Sequence, residues 1–328
     1  TVNGNQYPTA GALSHRNILI NGAMQVAQRG TSSTDSGYGT VDRTRGSFAG
    51  GAVTQTQEAL TTGAPFDSGF RNFFRLTNTT ANTIANSFRE VAKLIEAQNV
   101  ANSGWDYTST TSYVTLSAWV RASVAQTYQA FVNTRDGTNR IYSFPFTLAA
   151  DTWTKITETI PGSATNQIDD DNGLGVTISF VQFYGTDFTN ASNADRTWRD
   201  RTSGDAFVPD MTNTWANTTN ATFDITGIQL EVGEKATPFE FKSFDQELAR
   251  CQRYYQRGRG TLYVYYPSSA TLESFEPFVV NMRATPTTAT LSTVTTLGNG
   301  FSISTTLVDE TGIKINFPAS AAGFNGAR

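Results

Sequence analysis

The sequence holds one cysteine and one histidine in 328 residues. A lone Cys251 cannot close an internal disulfide, so stability has to come from packing and from assembly. It falls on the apolar side of a helical pattern, where a thiol reads as an inert packing residue. His15, the one imidazole for a Ser–His or Cys–His relay, lies in a polar, turn-rich opening stretch. Charge is scarce as well: Asp, Glu, Lys and Arg make up 16% of the chain, and the net charge is −4. The densest basic cluster, Arg250, Arg253, Arg257 and Arg259, is too sparse for a nucleic-acid surface and reads as a solvated helix face or a subunit contact. No apolar run is long enough to span a bilayer, no signal-peptide pattern opens the chain, and no phosphate loop or dinucleotide fingerprint occurs. The expectation is a non-enzyme with no catalytic residues, no cofactor, no nucleic-acid partner and no membrane insertion.

What the sequence has in quantity is Thr, Asn, Ser and Gln, together with 22 Phe, 12 Tyr and 27 Gly. Thr-rich and aromatic stretches favour half-buried strands, and the glycines suit many tight turns. The fold class this implies is all-β.

Residues 1–16 are polar and turn-rich and read as an extended arm. Asn17–Ile20 and Ala23–Ala27 are apolar runs on either side of Asn21-Gly22, a pairing that can turn a tight hairpin or bend. Strand-like segments follow at Phe70–Leu76, Asn86–Ile95, Tyr113–Val120, Thr127–Asn133, Arg140–Leu148, Thr152–Ile160, Leu174–Tyr184 and Phe223–Val232. In Tyr113–Val120 the alternation is clean, with Val114, Leu116, Ala118 and Val120 on one face. Ser243-Phe244-Asp245-Gln246 matches a capping box, and Phe244, Leu248, Cys251 and Tyr255 then line one side of a helix that Gly258 would end. Further strands are expected near 261–266, 275–283, 288–296, 300–307 and 312–317, with Asn299-Gly300 as a hairpin turn. The resulting organisation is an arm at 1–16, a β-sandwich at 17–242, a connecting helix at 243–258 and a small β domain at 259–328.

Two stretches carry a resemblance. Asn17-Ile-Leu-Ile-Asn-Gly-Ala-Met-Gln-Val-Ala-Gln-Arg-Gly-Thr31, followed by Val41-Asp42-Arg43, resembles the opening of a family of structural proteins from tailed phages, notably phages of marine bacteria. Its Asn-Ile-Leu-Ile-Asn-Gly core is similar to the first strand of carbohydrate-binding-module jelly rolls. Phe223 to Glu240 resembles the closing strand of those sandwiches, and Glu247–Tyr255 and Asn281–Pro286 are similar to the family's following helix and C-terminal β module. The family often carries an aromatic after Val-Asp-Arg, where this chain has Thr44. The resemblance implies a jelly-roll β-sandwich in a virion structural protein, a tail fibre or fibre-like appendage subunit. It also implies a homotrimer mounted on other tail proteins through the N-terminal arm. Alternatives are a glycan-binding adhesin, a capsid-mounted fibre or decoration protein, and a polysaccharide-degrading tail enzyme, the last usually built on long repeat β-helices that this sequence lacks. Synthesis in the bacterial host cytoplasm fits a chain that opens at Thr1 after loss of an initiator Met.

Host-surface glycans are the expected outside partner. Aromatic faces stack on pyranose rings while Asn, Asp and Arg bond the hydroxyls. The long polar stretch from Gly185 to Thr222 offers such groups: Trp198 with Arg199 and Asp200, and Trp215 with Asn217. The alternative is that both tryptophans pack the loop onto the sandwich or against a neighbouring subunit. Trp105, Trp119 and Trp153 sit in or beside strands and read as core. The acidic run Asp169-Asp170-Asp171-Asn172 before Gly173 gathers hard oxygen donors but lacks the alternation of a calcium loop. It reads as a solvated turn, and no metal is assigned.

Overall fold

Alternation along the strands decides the layers. On β6 (Tyr113–Ala122) the side chains of Val114, Leu116, Ala118, Val120 and Ala122 are at most 1% exposed, while Trp119 and Arg121 point to the other face. The computed structural model describes residues 15–201, 206–257, 272–287, 304–307 and 309–317. In it, β6 belongs to an antiparallel sheet ordered β1 (Ser32–Ser33), β3 (Thr54–Ala59), β4 (Asn72–Asn78), β12 (Ala221–Val232), β6, β9 (Thr154–Pro161). A second sheet is ordered β11 (Arg199–Asp200), β8 (Arg140–Leu148), β7 (Gln126–Thr134), β10 (Leu174–Tyr184), β5 (Phe88–Glu96), β2 (Arg45–Ala49). Successive strands cross repeatedly from one sheet to the other, and the two sheets face each other across a core that includes Phe74, Leu116, Tyr128, Phe144, Ile178, Phe180 and Phe223. This is the jelly-roll β-sandwich that the sequence implies.

Strands β8 and β10 have the expected bounds. Of the hairpin or bend that Asn21-Gly22 could turn, the bend forms and no strand pair does. Residues 17–27 are instead a buried irregular segment, with Asn21 and Met24 at φ 56° and 58°. The segment docks on β12 where that strand's register shifts between Thr226 and Gln229. Ile18 N–H donates to the Leu230 carbonyl at 2.9 Å, and Ile228 N–H donates to the Gly22 carbonyl at 3.0 Å. A Cβ on Gly22 would lie 2.1 Å from the Ile228 oxygen, so glycine is required by the close approach of the two backbones.

Strand β5 is unusual in turning Arg89 and Lys93, both at most 2% exposed, into the sandwich beside Val91 and Ile95. Short helices α1 (Ala64–Asp67), α2 (Ala97–Ala101) and α3 (Thr214–Asn217) sit in connections. The outer face of the second sheet is not open. Phe131, Ile141, Val181 and Tyr184 on that face are buried with Val208, and Phe188, Phe207 and Met211 of the 185–220 stretch pack against them.

The chain divides into two compact units, Thr1–Glu247 and Leu248–Arg328. Helix α4 (Phe244–Gln252) crosses the division and ends before Tyr255. In the second unit β13 (Leu272–Pro277), β15 (Gly312–Phe317) and β14 (Ser304–Leu307) form an antiparallel sheet in that order. The expected strands near 261–266 and 288–296, the Asn299-Gly300 turn, Gly258 and residues 1–14 of the arm lie outside the described residues.

Candidate functional site

The residues that the sequence suggested for glycan binding are placed far apart. Trp215 is fully buried in the sandwich core, and its indole N–H donates to the Thr222 carbonyl at 3.0 Å. Its burial is enforced from distant strands: the Asn78 amide donates to the carbonyls of Ala216 and Thr218, and the Gln126 amide oxygen accepts from the Trp215 N–H. No face of this ring is left for a ligand, so of the two readings of Trp215 the packing one holds. Asn217 is exposed beside it on α3.

Trp198 lies at the opposite end of the sandwich. Its N–H donates to the Pro161 carbonyl at 2.7 Å, and its half-buried ring leans on Tyr142 with centroids 5.6 Å apart. Pro161 pairs with Tyr113 at the start of β6, whereas Thr222 borders Phe223, the partner of Ala122 at its end. The two tryptophans are thus about nine strand residues, roughly 30 Å, apart. The segment around Trp198 clasps the edges of both sheets. Asp195 accepts from Ser143 on β8, and Arg196 pairs with Glu158 on β9 at 2.9 Å. Arg199 donates to the carbonyls of Ala206 and Phe207, and Asp200 pairs with Arg140 at 2.6 Å. Burial and the adjacent Glu158 carboxylate push the Tyr142 hydroxyl up to about 12.

A different constellation lies on the outer face of the first sheet. Arg75 on β4, Asp224 on β12 and Arg121 on β6 are cross-strand neighbours in one row. Asp224 is 1% exposed and binds both guanidiniums. Arg75 Nε and Nη2 donate at 2.7 and 2.9 Å, and Arg121 Nε and Nη2 at 2.8 and 2.6 Å. Each arginine thereby commits one edge of its fork, and among the described residues Nη1 has no acceptor, on side chains about a quarter exposed. The hydrogen bonds that Asp224 accepts hold the Arg75 guanidinium protonated even more firmly than usual.

The next row of the same face pairs Thr226, Trp119 and Lys155, and Phe73, two residues before Arg75 on β4, lies on that face too. Trp153 stands edge-on to Phe73 at 5.6 Å, and the Arg121 guanidinium lies 4.7 Å from the Trp153 ring centre. Both Trp119 and Trp153 are half-buried, packed with Phe66 around a small satellite cluster of Leu60, Phe70 and Phe73. Of the three tryptophans read as core, only Trp105 joins the main core as a buried residue. The alternation that turns Val114 to Val120 inward already assigns Trp119 to the outside, which was the available signal.

The other singled-out groups are accounted for by local bonds. His15 is exposed, and its backbone N–H donates to Glu240. Cys251 is buried. In the acidic turn, Asp171 accepts from the Gly173 N–H and Asp170 from the Asn102 amide. Among the described residues no cluster of three or more His, Cys, Asp or Glu could hold a metal ion.

No protein-family model matches the chain, and no curated protein matches its sequence. Solved structures similar to it include a family 11 carbohydrate-binding module from Clostridium thermocellum in complex with a mixed-linked tetrasaccharide (11% identity, 63% of this chain and 98% of that one, TM-score 0.29). A CBM22 xylan-binding domain from Paenibacillus barcinonensis gives 11% identity over 70% of this chain and 100% of that one, with a TM-score of 0.32. A cyclase from Fischerella sp. TAU gives 8% identity over 66% and 96%, with a TM-score of 0.36. With scores this low, these likenesses decide neither a ligand nor an activity.

Proposed function

We propose that this chain is a subunit of a phage tail fibre or fibre-like appendage, assembled as a homotrimer in the virion, that contributes to host attachment by binding surface glycans. The virion placement, the trimer and the mounting through the N-terminal arm rest on the sequence resemblance at Asn17–Arg43 and Phe223–Glu240. The glycan reading rests on one observation: two half-buried indoles, Trp119 and Trp153, share a sheet face with two arginines whose side chains are about a quarter exposed. Ring faces supply the apolar contact that a pyranose needs, and fixed donors beside them supply orientation. Asp224 prepays the ordering of both arginine side chains, which lowers the entropy lost when a ligand binds. Three copies of a weak site on one fibre would raise avidity by orders of magnitude.

The test is adsorption of the purified protein to host cells and to isolated host polysaccharide. Replacing Trp119 and Trp153 together by Ala should weaken binding about tenfold or more while the oligomer persists. Undiminished adsorption by that folded variant would remove the glycan role from this face. Locating the chain in intact particles by labelled-antibody imaging tests the virion role separately.

A further inference from the structure

The chain as a whole has a net charge of −4, yet the row of Arg75, Asp224 and Arg121 sets two guanidiniums on one carboxylate. The pairs Arg140–Asp200 and Arg196–Glu158 match one cation to one carboxylate. Within the row, then, one positive charge stays unmatched. Lys155, exposed in the next row opposite Trp119, adds a third cation to the face. The carboxylates that answer it stand to the sides. Glu58 is on β3 opposite Phe73, and Asp151 lies past the end of β6 with its N–H on the Ala122 carbonyl. Both favour the charged form of Arg75 from a distance, and neither forms an ion pair with either arginine.

Hydrogen-bond geometry points the same way as charge. Asp224 takes Nε and Nη2 of each arginine, one edge of the fork. The other edge, Nη1 with the second N–H of Nη2, stays unused on both. Neither Nη1 has an acceptor among the described residues, and neither is closed off from solvent. Two parallel N–H donors on such an edge match the two oxygens of a carboxylate, whereas a sugar hydroxyl offers a single oxygen. Arg121 holds its guanidinium beside an aromatic ring, 4.7 Å from the centre of Trp153.

We infer that the glycan taken by this face is acidic. A uronic-acid residue would place its carboxylate on the unused edge of Arg121 and its ring against the neighbouring indoles, with Arg75 and Lys155 adding positive charge. The inference rests on the glycan reading proposed above and narrows it to a substrate class.

The test is calorimetric titration of the full chain with galacturonate, mannuronate and glucuronate oligosaccharides, each set beside its carboxyl-reduced counterpart. The two members of a pair differ only in a carboxylate against a hydroxymethyl group. At least one acid member should bind about tenfold tighter than its reduced partner, and its lead should shrink as sodium chloride is raised. Arg121→Lys keeps a charge opposite Asp224 but removes the fork, and should bring the two members of that pair close together. Should the variant fail to fold, the acid-to-reduced ratio of the native chain decides. Equal binding within every pair, or preference for the reduced member, overturns the acidic assignment and leaves the glycan reading standing. Failure of every acid member to bind overturns it too; the glycan reading is then judged by whether Trp119 and Trp153 still govern adsorption to host cells. An acid preference that folded Arg121→Lys keeps in full overturns the role given to Arg121.

Discussion

The ammonium of Lys93 donates to the hydroxyl of Thr44 at 2.8 Å, inside the sandwich, where Lys93 is 2% exposed and Thr44 fully buried. The same ammonium donates to the carbonyls of Ile20 and Asn21 at 3.1 and 3.2 Å, and the Thr44 hydroxyl is 3.5 Å from the Met24 sulfur. One side chain of β5 thus fastens both the irregular segment at 17–27 and the turn after Asp42. Here the hydroxyl of Thr44 is a working acceptor. Replacing Lys93 by Met strands two carbonyls and a hydroxyl in a buried site. The expected loss is about 2–4 kcal/mol in equilibrium urea unfolding, with Thr44→Val costing about 1 kcal/mol. Equal, negligible costs would show that the cation plays no part in fixing the segment.

The two tryptophans of the 185–220 stretch should separate on mutation. Trp215→Ala empties a fully buried site and should cost about 3–5 kcal/mol. Trp198→Ala loses one hydrogen bond and part of a ring contact in the clasp, for about 1–3 kcal/mol. Neither change should alter glycan binding once measured on the folded fraction, because neither ring belongs to the face that carries Trp119 and Trp153.

Why these placements differ from the sequence reading is a matter of where each residue's partners come from. Strands β8 and β10 were legible because dense apolar and aromatic runs end at turn residues. Strands β2 and β3 were not, since their inward positions include Gly46, Gln55 and Gln57. Those glutamines bond loop carbonyls, Gln55 that of Asp35 and Gln57 that of Met24, so polar residues face inward without breaking the sandwich. Trp215 sits among Asn and Thr in sequence, and only Asn78 and Gln126, distant along the chain, reveal that it is core. Trp119 was legible in principle. Its neighbours' alternation fixes its side of the sheet, but no local signal says that Arg75 and Asp224 will join it there.

The clasp makes an alkaline prediction. Tyr142 is buried and 3.3 Å from Glu158, and its hydroxyl titrates at about 12 against an ordinary 10.0. A folded state that holds this proton more tightly than the unfolded state is stabilised below pH 10, and that contribution fades as pH climbs from about 10 to about 12. Tyr142→Phe should therefore flatten the alkaline limb of a stability–pH curve. In an ultraviolet phenolate titration, Glu158→Gln should move one tyrosine down while burial keeps it above 10.

The acid limb is expected to involve Glu240. Burial works against its charged form, yet the Lys242 ammonium and the N–H groups of Asn17 and His15 hold its pKa below the ordinary 4.5. Its contribution is then fully present above that value and is lost as pH falls through the lower, folded one. Glu240→Gln should be less stable than the native chain at neutral pH, and the two unfolding curves should converge in acid. A gap that persists unchanged below pH 3 would assign the effect to shape rather than charge.

Asp224 offers the sharpest separation between a packed surface and a binding one. At 1% exposure it cannot touch a ligand, so any effect it has on binding must pass through Arg75 and Arg121. Asp224→Asn keeps the volume but removes the charge that holds both forks, and should cost about 1–3 kcal/mol of stability. If the arginines only neutralise a buried carboxylate, that loss is the whole phenotype. If their free Nη1 groups orient a sugar between the indoles, calorimetric titration of the folded variant should show weaker binding as well, because two untethered side chains must now be ordered by the ligand itself. Stability reports the row as packing; affinity reports it as a site.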